Sequence, residues 1–353
     1  MRQYKLASAL LMALVLVGCG GGGAGDQSPK VKYTSQVAFG DSLSDVGSYK
    51  VGTIAAAGGG QYTINGTGKN WTELMAAQLG LAAPCAYQTG LNGTIFGSGV
   101  VAATHLGCTS YAQGGSRVTN PVGPGHVALG GADAMLGQLT VPITTQIDNH
   151  LAVVGGSFTG SEIVYVMAGA NDVFMQLGMV GAAAITPTTA ATNMATAATE
   201  LAGYVNTKLI ANGAKRVVVI NIPDVSNTPF GNEKETAAPG SRVLIDTLVT
   251  SFNNQLKTSL VGNANVLFVD VYTVNRDQLS NPAIYGLTNV SSPACDLAAT
   301  SNPIASSLMC NASNLIPGVV DHYMFADKVH PTPYTHLLLA RLVSKDMIIK
   351  GWL

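Results

Sequence analysis

Charge is scarce in this chain. Only 10% of its 353 residues are Asp, Glu, Lys or Arg, and the formal net charge is -1. No basic stripe is present, which excludes the electrostatic footprint of a nucleic-acid binder. Hydrophobic residues make up 47% of the chain. That is too apolar for a solvated, disordered polymer, and the absence of a sustained heptad excludes a coiled coil. Aromatics are few, at 6%. This speaks against a surface built for stacking, although two Trp and 12 Tyr remain. Beyond the N-terminus no apolar run has the length needed to cross a bilayer as a helix.

What is present is more specific. Arg2 and Lys5 precede an apolar run over residues 6–17, which is too short to span a membrane and reads as an export signal. The run ends in Leu16-Val17-Gly18-Cys19, which resembles a bacterial lipobox, with the Cys19 thiol as the lipid acceptor. The expected boundaries are a signal peptide over residues 1–18, a lipidated Cys19 with a Gly-rich tether over 19–32, and one folded domain over 33–353. Gly20 rather than an acidic residue follows Cys19, which by resemblance to Gram-negative sorting rules implies the outer membrane. Four cysteines remain, Cys85, Cys108, Cys295 and Cys310, an even number suited to an oxidising compartment. They allow three pairings, and Cys85–Cys108 with Cys295–Cys310 closes the two shortest loops. Their spacing is not of the C-x-x-C kind, so a zinc site is not expected.

Apolar, β-rich runs at residues 36–39, 163–167, 216–222 and 266–271 alternate with helical patterns at 71–79, 190–211, 242–260 and 333–348. Leu244, Leu248, Phe252 and Leu256 recur at four-residue spacing, the mark of an amphipathic helix. Continuous apolar strands separated by helices predict an α/β/α sandwich of three layers around a mainly parallel sheet. Residues 48–70 and 273–321 read as loop insertions.

Four short motifs lie at the ends of these elements. Gly40-Asp41-Ser42-Leu43 follows the first strand, where a serine hydroxyl projects into the crevice at the carboxyl edge of an open α/β sheet. A helix starting there would favour developing negative charge. The G-x-S-x-G elbow is not met, because Ser44 stands in place of its second Gly. Tyr111-Ala112-Gln113-Gly114-Gly115 offers backbone able to approach a ligand closely. Gly169-Ala170-Asn171-Asp172 follows the second strand, and a neutral Asn amide donates to an oxyanion without adding charge. Asp327-Lys328-Val329-His330 precedes the last helix, and an Asp three residues before a His can reach its Nδ1. The other histidines, His105, His126, His150, His322 and His336, have no acidic residue at that spacing. Taken singly, each motif is an ordinary cap or turn.

Together and in this order the four resemble the blocks of the GDSL/SGNH hydrolases, over about 290 residues. The resemblance implies a flavodoxin-like SGNH fold and a serine esterase or lipase with no metal or organic cofactor. It carries over Ser42 as nucleophile, His330 as base and Asp327 as its orienting carboxylate. The oxyanion donors would be the N–H groups of Ser42 and Gly115 and the Asn171 amide. Ser110 stands where the family has an Asn five residues before the glycine, so Gly114 stays open as the alternative donor. Gly-Asp-Ser-Leu-Ser-Asp-Val-Gly followed by Asn70-Trp71-Thr72-Glu73 looks like the bacterial phospholipase, lecithinase and haemolysin-like branch. Some of those relatives end in a membrane β-barrel, and the 23 residues after His330 hold only the closing helix. The expected partners are a small-molecule or lipid ester and, through Cys19, a membrane. An acyltransferase, or an acetylesterase acting on acetylated polysaccharide, would use the same residues.

Overall fold

The computed structural model describes residues 31–353. The signal segment, Cys19 and all but the last two residues of the tether lie outside them. The strands are β1 (Ser35–Gly40), β2 (Gln88–Leu91), β3 (Val100–Thr104), β4 (Glu162–Met167), β5 (Val217–Ile220), β6 (Val266–Val269), β7 (Asn289–Pro293) and β8 (Tyr323–Phe325). The helices are α1 (Gly52–Ala56), α2 (Trp71–Gln78), α3 (Ile143–Val153), α4 (Ala170–Gly181), α5 (Pro187–Tyr204), α6 (Pro229–Ala237), α7 (Ser241–Leu260), α8 (Val271–Ser280) and α9 (Pro333–Lys350).

The central sheet runs β1-β4-β5-β6 with every pair parallel. Residues 109–113 extend it beyond β1. The Ala38 N–H donates to the Thr109 carbonyl, and Tyr111 and Gln113 donate to Ala38 and Gly40. The resulting order is the doubly wound, flavodoxin-like one.

Alternation along the strands makes two cores. Val37, Phe39, Val164, Val166, Val217 and Val219 face α3, α5 and α7. Ala38, Tyr165, Met167, Val218, Ile220 and Val269 face α2 and α9. Both faces are therefore covered, and the strands read as unbroken apolar runs for that reason. The α7 stripe buries Leu248, Phe252 and Leu256 as its spacing predicts. The Phe252 ring lies against the Cα of Gly169, where an added Cβ would come within 2.6 Å of it. Gly169 also sits at φ 111 as the N-cap of α4, so the entry to the third motif is fixed by core packing as well as by backbone conformation.

Three readings need correction. The strand expected to reach residue 271 stops at Val269, because Asp270 caps α8 and accepts from the Thr273 N–H at 3.1 Å. The segment 273–321 is not a plain loop: it contains most of α8, β7 and the second disulfide. Polar residues along α8 hide its helical character from a hydrophobic pattern. Nor does a helix start behind Ser42. Residues 41–50 form successive turns, and α1 begins only at Gly52.

Candidate active site

The turn after β1 is closed by two aspartates. Asp41 accepts from the Leu43 N–H at 3.0 Å through its side chain, and Ser44 donates to the Asp41 carbonyl at 3.1 Å. Asp45 accepts from Gly47 and Ser48 at 2.8 and 2.7 Å. Side chains competing for N–H groups in this way favour turns over continued helix, which is why no helix grows here. Gln146 on α3 pins the start of the turn. Its amide both donates to and accepts from the Gly40 backbone, at 2.9 Å each. An added Cβ on Gly40 would lie 2.9 Å from the Met167 carbonyl, so the chain passes β4 too closely for a side chain.

The Ser42 hydroxyl lies 2.9 Å from Nε2 of His330, and His330 Nδ1 lies 2.9 and 2.8 Å from the two Asp327 oxygens. With the Nδ1–H donated to Asp327, Nε2 is left as the acceptor. The motif is a local turn: Asp327 also accepts from the N–H groups of Val329 and His330, and the Ala326 N–H donates to the His330 carbonyl at 2.7 Å. Ser307 donates its backbone N–H to Asp327 at 2.8 Å. Burial alone would raise the Asp327 carboxyl. The adjoining His330, with hydrogen bonds from His330, Ser307 and Val329, outweighs burial and holds it well below the usual carboxylate range. The competing histidines stand elsewhere. His322 bonds the Gly286 carbonyl and stacks on Tyr334, while His150 and His336 are buried.

Hydrogen-bond donors border the same serine. The N–H groups of Ser42 and Gly115 have no acceptor among the described residues. Gly114 is different, because its N–H is taken by Asp45 at 3.0 Å. Of the two glycines, Gly115 is therefore the one with a free donor, and it sits at φ +80. Asn171, in the first turn of α4, gives one amide hydrogen to the Ser116 carbonyl at 2.8 Å and borders the same cavity. Its neighbour Asp172 points the other way, to Arg117 at 2.8 Å and the Val118 N–H at 3.0 Å. The segment just after the second motif is thus tied to the third by an ion pair, with Asn171 facing the site and Asp172 holding the frame.

Residues 37–343 match the family described as GDSL-like Lipase/Acylhydrolase. The chain belongs to that family. It is an enzyme that hydrolyses ester bonds. A GDSL esterase/lipase of Arabidopsis thaliana is 25% identical over 352 residues, covering 89% of this chain and 88% of its own length. A second from the same plant is 25% identical over 287 residues, 73% of this chain and 72% of its own. Among solved structures, the extracellular lipase of Streptomyces rimosus aligns at TM-score 0.43 and 14% identity, over 89% of this chain and 99% of that one. An acetylxylan esterase of Geobacillus stearothermophilus aligns at TM-score 0.40 and 14% identity, over 90% and 96%.

In this GDSL hydrolase a cavity of about 350 Å³ opens at Ser42, Gly115, Asn171 and His330. Four residues that shape the site escaped the sequence reading. Asp45 and Gln146 join the first motif to the second, and Ser307 supports Asp327. The ring of Tyr62 lies 4.7 Å from that of His330, and Tyr62 also fills the space above Gly114, where a Cβ would meet its hydroxyl at 2.3 Å. Asp45 alone had a visible signal, since it closes the Gly-Asp-Ser-Leu-Ser-Asp string.

Proposed function

We propose that Ser42 is the nucleophile of an acyl-enzyme mechanism, with His330 as base and Asp327 as its orienting carboxylate. Nε2 of neutral His330 takes the Ser42 proton as Oγ attacks the ester carbonyl. The N–H groups of Ser42 and Gly115 and the Asn171 amide hold the oxyanion. Collapse breaks the bond to the alkoxy oxygen, which leaves with the proton from His330. Water, activated by the same imidazole, then attacks the acyl carbonyl and frees the acid and Ser42. The Ser42–His330–Asp327 hydrogen-bonded chain, at 2.9 and 2.8 Å, carries this reading. Removing one oxyanion donor typically costs about 10²–10³ in rate. The test is labelling by a fluorophosphonate. Ser42 is the residue expected to react, and Ser42→Ala is expected to lose both label and turnover. Label on another serine refutes the assignment.

The catalytic domain in this reading runs over residues 33–353, carried by a bacterial lipoprotein of the phospholipase and lecithinase-like branch and anchored in the outer membrane. Leu16-Val17-Gly18-Cys19 supports the anchor. Metabolic labelling with palmitate should mark the wild-type chain and not Cys19→Ser, which should also leave the membrane fraction. Equal label on both rejects the anchor.

A further inference from the structure

We infer that the cavity beside Ser42 is a site for a long, unbranched acyl chain, which makes this enzyme selective for esters of medium- to long-chain fatty acids. The inference rests on Ser42 being the nucleophile. The cavity follows the carboxyl edge of the sheet. It is bordered by Ser42 after β1, Met167 and Asn171 at the end of β4, Pro223 after β5 and Val271 after β6. Ser42 and Val271 are three strand steps apart. At about 4.8 Å per step the trough reaches about 14 Å, far longer than an acetyl group needs.

Much of its lining is apolar. Leu43, Met167, Val271, Val274 and Met324 line it together with Leu338, Leu339 and Leu342 of α9. Two of the polar side chains beside these apolar residues are engaged within the protein. Asn275 donates to Gln278 at 2.9 Å, and Asp224 accepts from the Ser226 N–H and hydroxyl and the Asn227 amide. Around the relay the borders include Gln138, Ser306 and Lys328, with polar side chains, beside Val329 and Pro331. Ser306 precedes Ser307 and Lys328 follows Asp327, so both lie beside the relay from which a leaving alcohol takes its proton. The polar alcohol therefore lies toward Ser306 and Lys328, and the acyl chain runs the other way, under α9. Protein interiors leave few voids larger than a water molecule, so an apolar one opening on a nucleophile is built to be filled.

A series of nitrophenyl acetate, butyrate, octanoate and dodecanoate tests this. For the wild-type enzyme, kcat/KM for octanoate should exceed that for acetate by at least about tenfold. Val274→Trp and Leu342→Phe narrow the trough, and each should cut the octanoate-to-acetate ratio by about tenfold, whereas Val274→Ala should move the preference toward dodecanoate. The ratio is internal to each protein, so a loss of folded material does not alter it. If acetate is turned over as well as octanoate and the ratio is flat across the variants, the acyl site is overturned while Ser42 keeps its role. If no ester is turned over and fluorophosphonate leaves Ser42 unlabelled, both readings fall.

Discussion

Two disulfides close two loops of similar size, and they do different things. Cys85–Cys108 spans 23 residues at the outer edge of the sheet. Cys85 is exposed, and so is most of β3, the hairpin strand inside the loop. Just past the bridge, Ser110 pairs with Ala38, Tyr111 packs at a tilt against Tyr87, and the Tyr111 hydroxyl meets His150 at 3.2 Å. This bridge clips an edge to the core. Cys295–Cys310 spans 15 residues and is buried. Its loop hands the Ser307 N–H to Asp327 and places Ser306 on the cavity. A disulfide stabilises mainly by restricting the unfolded chain. Whether it also matters to chemistry depends on what its loop touches in the folded state.

The largest effect should come from the proposed relay, which the second loop touches. Asp327→Asn keeps the shape and loses the charge that fixes the His330 tautomer, so kcat should fall by about 10³–10⁴ with melting little changed. A fall of less than tenfold in steady-state kinetics would remove Asp327 from the relay. The Ser307 contact offers a finer cut. Ser307 opens a short 3₁₀ turn after an extended Ser306 at φ -133. Proline fits such a first position while deleting the N–H. Ser307→Pro should lower kcat about 10- to 100-fold, the worth of one hydrogen bond to a charged group, whereas Ser307→Ala should leave kcat near wild type. Equal losses in both variants would show that Asp327 does not depend on this N–H.

The bridges themselves come next. Removing either as an Ala pair should cost about 3 kcal/mol in denaturant unfolding, slightly more for the longer Cys85 loop. Only Cys295→Ala with Cys310→Ala should also lower kcat, by several-fold at a temperature where both variants are folded. If the Cys85–Cys108 variant loses kcat equally, the contrast between the loops is broken. The smallest effect concerns His150, on the Cys85 side. Burial pushes its imidazole down from 6.5 to about 4, with Glu162 opposing. In that window the unfolded chain binds a proton that the folded chain does not. The stability His150 contributes is therefore present above about pH 6.5 and lost as pH falls toward 4. His150→Phe should flatten the loss between pH 7 and 5 by on the order of 1–2 kcal/mol in unfolding titrations, without shifting the pH profile of kcat. An unchanged pH slope would show that another group sets the acid sensitivity.

The Ser42–His330–Asp327 hydrogen-bonded chain was legible because its parts are local or motif-borne. Asp327 and His330 sit three apart in one turn, and Ser42 follows a strand whose apolar run is unmistakable. Helix α7 was legible for the same reason, since its stripe obeys the 3.6-residue period. Gln146 reaches Gly40 across 106 residues of chain, and Ser307 reaches Asp327 through a backbone N–H that any residue but proline would supply. Neither leaves a mark in a one-dimensional pattern. The helix expected behind Ser42 failed because Asp41 and Asp45 outcompete helical hydrogen bonding, a local effect that apolar periodicity does not register.

By itself the sequence determined a parallel α/β sheet, an even set of four cysteines beyond Cys19, and four motifs in the order of a serine hydrolase. These follow from apolar runs, residue parity and short spacings, all properties of neighbours along the chain. The tertiary structure decided that Gly115 rather than Gly114 offers a free N–H, since Asp45 claims the other. It placed the Tyr62 ring against His330 and opened an apolar trough between the sheet edge and α9. Those features depend on which hydrogen-bonding groups are already spent and which volumes stay unfilled, and both are settled only when segments distant in sequence pack together.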